Sequence, residues 1–402
     1  MVLPADEGRR EEHRGLRGVL EGRRGHAVDR DRTYLARAVE LASRATADAA
    51  PNPPVGCVIV RDGTTLGEGW HHRRGEAHAE VEALRDAHTR GNDVRGATAY
   101  VSLEPCNHHG RTPPCSEALI DAGVARVVIG ALDPNPQTGE GGVQRLRDAG
   151  ITVDVIDDKA ARALIERFRW TVTHAQLPFV TLKMAASLDG YVAARPGAQQ
   201  WLTGEPARER VRDLRIEHDA VLVGAGTVRI DDPQLTVRPH AMRRKPYARV
   251  VACETEAIPA TSRILAPPAD APPDAYARTI VLAPRGARAK FAALESLADV
   301  VYIGDDDARN LDLPAALAAM REREITTVLC EGGPTLAGRL LAGGLVQRVV
   351  WLLAPTFLRT ETAVPALAGA DLAGSDGWRF DRIERVGDDM LLSADLTTCS
   401  PA

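Results

Sequence analysis

One short set of residues limits what this chain can fold into more than any other feature. His78-Ala79-Glu80 is followed by Pro105-Cys106 and then by Cys115. An imidazole and two thiolates reach one metal ion only if the segments carrying them lie side by side. The local patterns supply that arrangement. Ala77 to Leu84 reads as a helix start, and Ala97 to Leu103 as a strand with Glu104-Pro105-Cys106 at its end. Pro113-Pro114-Cys115 opens a second helical pattern through Ala122. Helix N-termini also favour thiolates.

The set points to hydrolytic deamination. Zn²⁺ held by three protein ligands keeps a fourth position for water and lowers that water's pKa to about 7. A carboxylate that does not bind the metal can then carry protons from the attacking oxygen to the departing ammonia. The expected ligands are His78, Cys106 and Cys115, with Glu80 as the proton shuttle. Buried cysteines also occur as small hydrophobes, but the ordered surroundings weigh against that reading. The spacing is unusual: eight residues, Asn107 to Pro114, separate the thiolates, where the common signature has two. They include His108 and His109 as rival ligands.

Several motifs make the amino-terminal half resemble the bifunctional riboflavin-biosynthesis deaminase/reductase family. They are Pro51-Asn52-Pro53-Pro54-Val55-Gly56-Cys57-Val58, Gly67-x-Gly69-x-His71, Gly75-x-x-His78-Ala79-Glu80-Val81 and the long run from Leu103 to Cys115. The resemblance implies a cytidine-deaminase-like three-layer domain, with Asn52 and His71 contacting the pyrimidine.

A chain of 402 residues exceeds the size at which one core usually stops growing, so two domains are expected. No run reaches the roughly 18 apolar residues that span a bilayer. A net charge of −5 offers no field for a polyanion, which weighs against nucleic acid and against a tRNA-editing role. Six cysteines, two of them in the metal set, form no disulfide framework, and a cytoplasmic setting is expected. Residues 1–28 mix Arg, Glu and Gly without apolar periodicity, as a flexible tail does. Their acidic residues weigh against a transit peptide.

From Asp29 the chain alternates helix and strand. Gly56 to Val60, Ala125 to Ile129 and Ile151 to Val155 read as strands, and Val143 to Ala149 and Asp158 to Val172 as helices. An α/β domain over 29–175 follows, with Asp133-Pro134-Asn135-Pro136 at the pocket rim by resemblance. A second domain, 176–402, opens with the strand Phe179 to Ala186, which carries Lys183. Ala220 to Val223 leads into Gly224-Ala225-Gly226-Thr227, and Ile325 to Cys330 into Glu331-Gly332-Gly333-Pro334 and a helix from Thr335 to Leu341. A strand that passes through glycines into a helix presents free amides to a phosphate. Neither cluster is the G-x-G-x-x-G fingerprint.

Lys183-x-Ala185-x-Ser187-Leu188-Asp189-Gly190, Gln200-Trp201-Leu202-Thr203, Gly226-Thr227-Val228, Asp231-Asp232-Pro233-x-Leu235-Thr236-x-Arg238 and Glu331-Gly332-Gly333 resemble the same family's reductase half. That half is similar to dihydrofolate reductase in fold and uses NADPH. The resemblance implies NADPH contacts at Ala185, Trp201, Thr227, Asp231, Gly333, Pro334, Thr335, Leu336, Ala337, Gly338 and Arg339. It implies sugar-phosphate contacts at Gln199, Arg215, Leu235, Arg238 and Glu331. Four departures stand out: Gln199 for a frequent Ser, Cys253-Glu254 for Asp-Ser, Gln347-Arg348 for Asp-Glu, and Arg359 for Gly. A Glu254 carboxylate near a phosphate would weaken the preference for NADPH. The expectation is a homo-oligomeric enzyme acting on a small phosphoribosylaminopyrimidine. The alternative is a paralogue acting on a related pyrimidine.

Overall fold

The computed structural model describes residues 29–45, 49–108, 113–135, 141–198, 201–237, 245–272, 274–373 and 377–396. The expected tail, His109, Pro136, Gln199 and Arg238 lie outside the described residues. The chain divides into two compact units, Met1–Arg169 and Trp170–Ala402.

In the first unit, helix α1 (29–42) precedes β1 (Gly56–Arg61), β2 (Thr64–Trp70), α2 (Ala79–Thr89) and β3 (Thr98–Val101). Then come α3 (Cys115–Asp121), β4 (Arg126–Ile129), α4 (Gly142–Asp148), β5 (Thr152–Val155) and α5 (Lys159–Leu164), and α6 (Glu166–Thr173) runs across the boundary between the units. The five strands lie in the order β2-β1-β3-β4-β5. β1 is antiparallel to both β2 and β3, whereas β3, β4 and β5 are parallel.

Period-two alternation sends the strand side chains to two cores. Cys57, Ile59, Ala99, Val101, Val127 and Ile129 pack with Ala79, Ala83 and Ala87 of α2, Leu119 of α3 and Leu146 of α4. Val58, Val60, Tyr100 and Val128 pack on Ala38 and Leu41 of α1. Three layers result, and each fully buried Val, Leu or Ile contributes roughly 1.5–3 kcal/mol of transfer free energy. The single helix expected over Asp158 to Val172 is two. Asp158 caps the first by accepting from the amides of Ala160 and Ala161 at 2.9 and 3.0 Å. Ile165 (φ −94, ψ 7) breaks the run while its side chain is buried with Leu103, Ala131 and Ala161.

Glycines bring two helices onto the sheet. A Cβ at Gly56 would lie 2.0 Å from the Ala38 carbonyl oxygen in α1. Cβ atoms at Gly67 and Gly69 would lie 2.3 Å from the oxygen and 2.4 Å from the nitrogen of Ala83. Strand β2 therefore bears glycine at alternate positions because α2 rests directly on its backbone.

The second unit begins with β6 (Phe179–Ser187), β7 (Tyr191–Ala193), α7 (Glu205–Ile216), β8 (Ala220–Gly224), α8 (Ala225–Asp231) and β9 (Ala248–Ala252). β10 (Ile280–Pro284), α9 (Arg288–Phe291), β11 (Asp299–Ile303), α10 (Leu313–Glu322), β12 (Thr327–Cys330) and α11 (Pro334–Ala342) continue it. β13 (Arg348–Ala354), β14 (Val364–Pro365), β15 (Trp378–Val386) and β16 (Asp389–Leu396) complete it. A nine-stranded sheet runs β11-β10-β9-β8-β12-β6-β13-β16-β15. It is parallel from β11 to β13 and closes with the antiparallel strands β16 and β15. The near-continuous apolar runs of β6, β8, β9, β10 and β12 are those of strands covered on both faces.

Two of the unusual positions are absorbed by this sheet. Gln347 is buried, and its Oε1 accepts the Val180 amide at 2.8 Å. Arg348 makes a two-pronged bond to Asp395, at 2.6 and 3.1 Å.

Candidate active sites

His78 caps the start of α2 from extended backbone, and Cys115 is the first residue of α3. Cys106 follows the end of β3, where the Ser116 amide bonds its carbonyl oxygen at 3.1 Å. The His78 Nδ1 lies 3.5 Å from Cys106 Sγ and 3.3 Å from Cys115 Sγ, and all three ligand atoms fall within 4.8 Å of one another. A tetrahedral zinc ion with bonds of about 2.0 Å to nitrogen and 2.3 Å to sulfur needs N···S separations of about 3.5 Å. The donor set fits that ion. His108, the rival ligand among the described residues, is exposed and outside the cluster.

The electrostatics agree with a cation site. The hydrogen bond with Cys115 draws the Cys106 thiol down, and the same bond together with burial pushes Cys115 up. The hydrogen bond to Cys106 raises His78. A divalent ion displaces those protons. Glu80 lies on the first turn of α2 and is 2% exposed. Burial, and then the Cys106 charge, push its carboxyl up to about 7, in the range that suits a group that must both take and give a proton at neutral pH.

The structure brings Asn52 and His71 to the same place. His71 Nδ1 donates to the Ala77 carbonyl at 3.1 Å, which leaves Nε2 to accept from Asn52 Nδ2 at 3.1 Å. The His71 ring meets the His78 ring edge-on, with centroids 5.2 Å apart. Burial lowers the His71 pKa, so the imidazole is neutral. Glu104, which sequence reasoning passed over, is buried after β3. Its carboxylate accepts the Val143 amide at 3.0 Å and the Asp133 amide at 3.3 Å, tying α4 and the expected rim turn to the Cys106 segment. Asp133 Oδ1 in turn accepts the Asn135 amide at 2.9 Å.

In the second unit the ends of β8 and β12 carry the glycine clusters. Gly333 caps α11 without any side-chain cap, and Pro334 follows it. A Cβ at Gly333 would lie 3.3 Å from Thr227 Oγ1, and one at Gly226 would meet nothing within 4 Å. An uncapped helix start beside an open glycine turn suits the diphosphate of a dinucleotide. Thr335 is exposed, and Ala185, Thr227, Asp231, Pro334 and Arg339 are half-buried. Leu336 and Ala337 point into the core, and Gly338 packs under the Ala368 carbonyl, 2.1 Å from where a Cβ would be. Burial raises the Asp231 carboxyl. Trp201 is 74% exposed, with the Arg208 guanidinium 5.3 Å from its ring centre.

Arg215, near the end of α7, and Glu331, just past β12, form a two-pronged pair at 2.5 and 2.8 Å. Arg215 also donates to the Thr236 carbonyl at 2.8 Å, and the neighbouring Leu235 is buried with φ 51. Burial opposes both charges, yet each partner holds the other ionised. Burial pulls the Lys183 ammonium down, and Glu331 works against that shift. Lys183, in the middle of β6, Arg215 and Glu331 thus form one charge cluster beside the carboxyl end of β12, the edge where parallel sheets bind ligands.

Residues 28–131 match the family model "Cytidine and deoxycytidylate deaminase zinc-binding region", and residues 178–392 match "RibD C-terminal domain". The chain is thus a zinc-binding deaminase unit followed by a reductase unit. It is 39% identical over 381 residues to the riboflavin biosynthesis protein RibD of Escherichia coli, covering 90% of this chain and 98% of that protein. It is 36% identical to the RibD of Aquifex aeolicus, covering 90% and 97%. Among solved structures, Acinetobacter baumannii RibD superposes with a TM-score of 0.74 at 34% identity, covering 91% of this chain and 99% of that one. A deaminase/reductase from Thermotoga maritima does so with a TM-score of 0.74 at 32% identity, covering 91% and 98%. The chain belongs to the RibD family of bifunctional deaminase/reductases of riboflavin biosynthesis, with zinc and NADPH as its cofactors. No helix among the described residues is long and apolar enough to cross a membrane.

Proposed function

We propose that the first unit deaminates 2,5-diamino-6-(5-phosphoribosylamino)pyrimidin-4-one and that the second reduces the ribosyl group of the resulting uracil to ribityl. The Thermotoga maritima relative is described as a diaminohydroxyphosphoribosylaminopyrimidine deaminase and 5-amino-6-(5-phosphoribosylamino)uracil reductase. The observation that carries the first step is the buried Glu80 beside a donor set sized for zinc.

His78, Cys106 and Cys115 would hold the metal, which supplies a Lewis acid that activates water. Glu80 takes a proton from the attacking water and delivers it to the exocyclic nitrogen, which leaves as ammonia, and the second water proton passes to the ring nitrogen as the ring carbon gains a carbonyl oxygen. Asn52, steadied by His71, positions the pyrimidine edge.

NADPH, when bound, supplies the hydride. The α11 amides from Gly333 onward, with Thr227, hold its diphosphate, and Ala185, Trp201, Asp231 and Arg339 line the remainder. Arg215 and Glu331 orient the ribose phosphate, with Leu235 shaping the wall. Their existing pair means that each already faces the other in the required orientation, so little ordering cost remains on binding. Gln199 and Arg238 belong to the same substrate reading.

Two wider readings accompany this one. The described cysteines are free thiols, which supports a reducing cytoplasm. Strand β15 ends the nine-stranded sheet with Phe380 and Ile383 exposed, which supports assembly of like chains there. Light scattering on the purified protein checks the second, since a monomer at micromolar concentration refutes it. For the main reading, zinc-loaded protein given the diamino compound without NADPH should release ammonia and leave the ribosylaminouracil. No ammonia would refute it.

A further inference from the structure

A second charge pair stands at the ligand edge of the parallel sheet, and neither reaction above explains it. Strand β8 passes through Gly224 into α8, and the chain returns as β9, which pairs in parallel with β8. Glu254 follows β9 at that same edge. In dinucleotide-binding strand–helix–strand units, an acidic residue past the second strand accepts hydrogen bonds from the adenosine ribose hydroxyls. An arginine there accommodates a 2′-phosphate instead. This chain places both kinds of residue together. Arg339 Nη1 bonds Glu254 Oε1. Arg339 Nη2 donates to the Leu311 carbonyl at 2.9 Å, and the Leu311 amide donates to Glu254 Oε2 at 3.2 Å. Leu311 thus clamps both members of the pair.

The pair is open to solvent, with side-chain exposures of 29% for Arg339 and 42% for Glu254. Ion pairs so exposed add little to stability. Its position is more telling: Arg339 lies on α11, whose uncapped start is the candidate diphosphate site. Glu254 lies just past β9, the neighbour of the strand β8 that leads into the glycine turn.

We propose that Glu254, through its pair with Arg339, reads the adenosine 2′ position and narrows this chain's discrimination between NADPH and NADH. Glu254 repels a 2′-phosphate and accepts from a 2′-hydroxyl. It also neutralises the one guanidinium, among those described on α11, that would attract the phosphate. The inference rests on the cofactor cleft assigned above.

Equilibrium titration of the purified full chain, followed by nicotinamide fluorescence, gives Kd for NADPH and for NADH without any turnover. In the wild type the two constants should lie within about tenfold of each other, because a like charge at a recognition site discriminates strongly. Glu254→Gln should tighten NADPH by about tenfold or more without tightening NADH. That gain should shrink as ionic strength rises and vanish when Arg339→Ala is added. Glu254→Ser serves as a second variant should the glutamine fold poorly. An unchanged ratio of the two constants in both variants overturns the proposal and leaves the cleft assignment standing. A wild type that binds neither dinucleotide overturns the cleft assignment itself, and the proposal with it.

Discussion

Replacing Gly69 by alanine should damage the deaminase without touching any residue of its chemistry. The added Cβ would sit 2.4 Å from the Ala83 nitrogen, 2.6 Å from the Ala79 oxygen and 2.7 Å from the Glu82 Cβ. Ordinary contact begins near 3.5 Å, so α2 must retreat from β2 by about 1 Å. The neighbours are mostly helix backbone, which cannot rotate aside. Overpacking of this kind costs about 1–3 kcal/mol of stability. The functional cost is larger, because α2 begins at His78 and carries Glu80 on its first turn. A displacement of about 1 Å in a catalytic group costs on the order of 100-fold in rate. The assay is ammonia release by the variant, with zinc content and far-UV circular dichroism measured on the same preparation. Reduction of supplied ribosylaminouracil is the internal control and should stay within about twofold of wild type, since residue 69 lies in the other compact unit. A folded variant that keeps full zinc and wild-type ammonia release would refute the argument that these glycines set the position of α2.

Glu80→Gln should keep its zinc and lose about 10²–10⁴-fold in deamination. Undiminished ammonia release would remove Glu80 as the proton shuttle. Cys106→Ala or Cys115→Ala should abolish stoichiometric zinc, read by elemental analysis. The raised Glu80 pKa gives a pH prediction for chelator-stripped protein. A carboxyl at 4.5 unfolded and about 7 folded binds more protons in the native state between those values. The contribution of this carboxyl to stability should therefore fall as pH rises through that window, by roughly 3 kcal/mol in all. The lowered Cys106 thiol works the opposite way, so the Glu80 contribution is read as the stability of the wild type minus that of Glu80→Gln, from denaturant melts at pH 5 and pH 7.5, and a difference that rises would contradict it. Arg215→Met leaves the Glu331 carboxylate in a buried setting without its main partner, and should destabilise the reductase unit by about 3–5 kcal/mol. A loss under about 1 kcal/mol would mean that the pair is better solvated than its geometry indicates.

The deaminase site was legible in the sequence because its ligands sit at element boundaries with strong local signals. Proline before Cys115 and the apolar pattern after His78 marked the two helix starts within two residues. β2 was not legible as a strand, because Gly67 and Gly69 remove the side chains that carry period-two alternation. The reason for those glycines is a helix that arrives from later in the chain. The same limit hid the roles of Glu104 and Gln347 and the Arg339 partner of Glu254, since these contacts span 39, 167 and 85 residues, to Val143, Val180 and Arg339. Spacing along the chain says nothing about such pairs. In the reductase unit the sequence marked the strands that end in glycine clusters. It did not show that Leu336, Ala337 and Gly338 face the core, because a helix start reads alike whichever way the helix rolls.

One chain performing both steps in order on one substrate ties ammonia release to hydride transfer. The most direct test supplies zinc-loaded protein with the diamino compound and NADPH deuterated at the transferable position of the nicotinamide ring. One ammonia should be released for each NADPH oxidised, and deuterium should appear at the ribityl carbon bonded to nitrogen, the carbon that gains a hydrogen when ribosyl becomes ribityl. Ammonia release with no NADPH oxidation, or deuterium found elsewhere in the product, would contradict it.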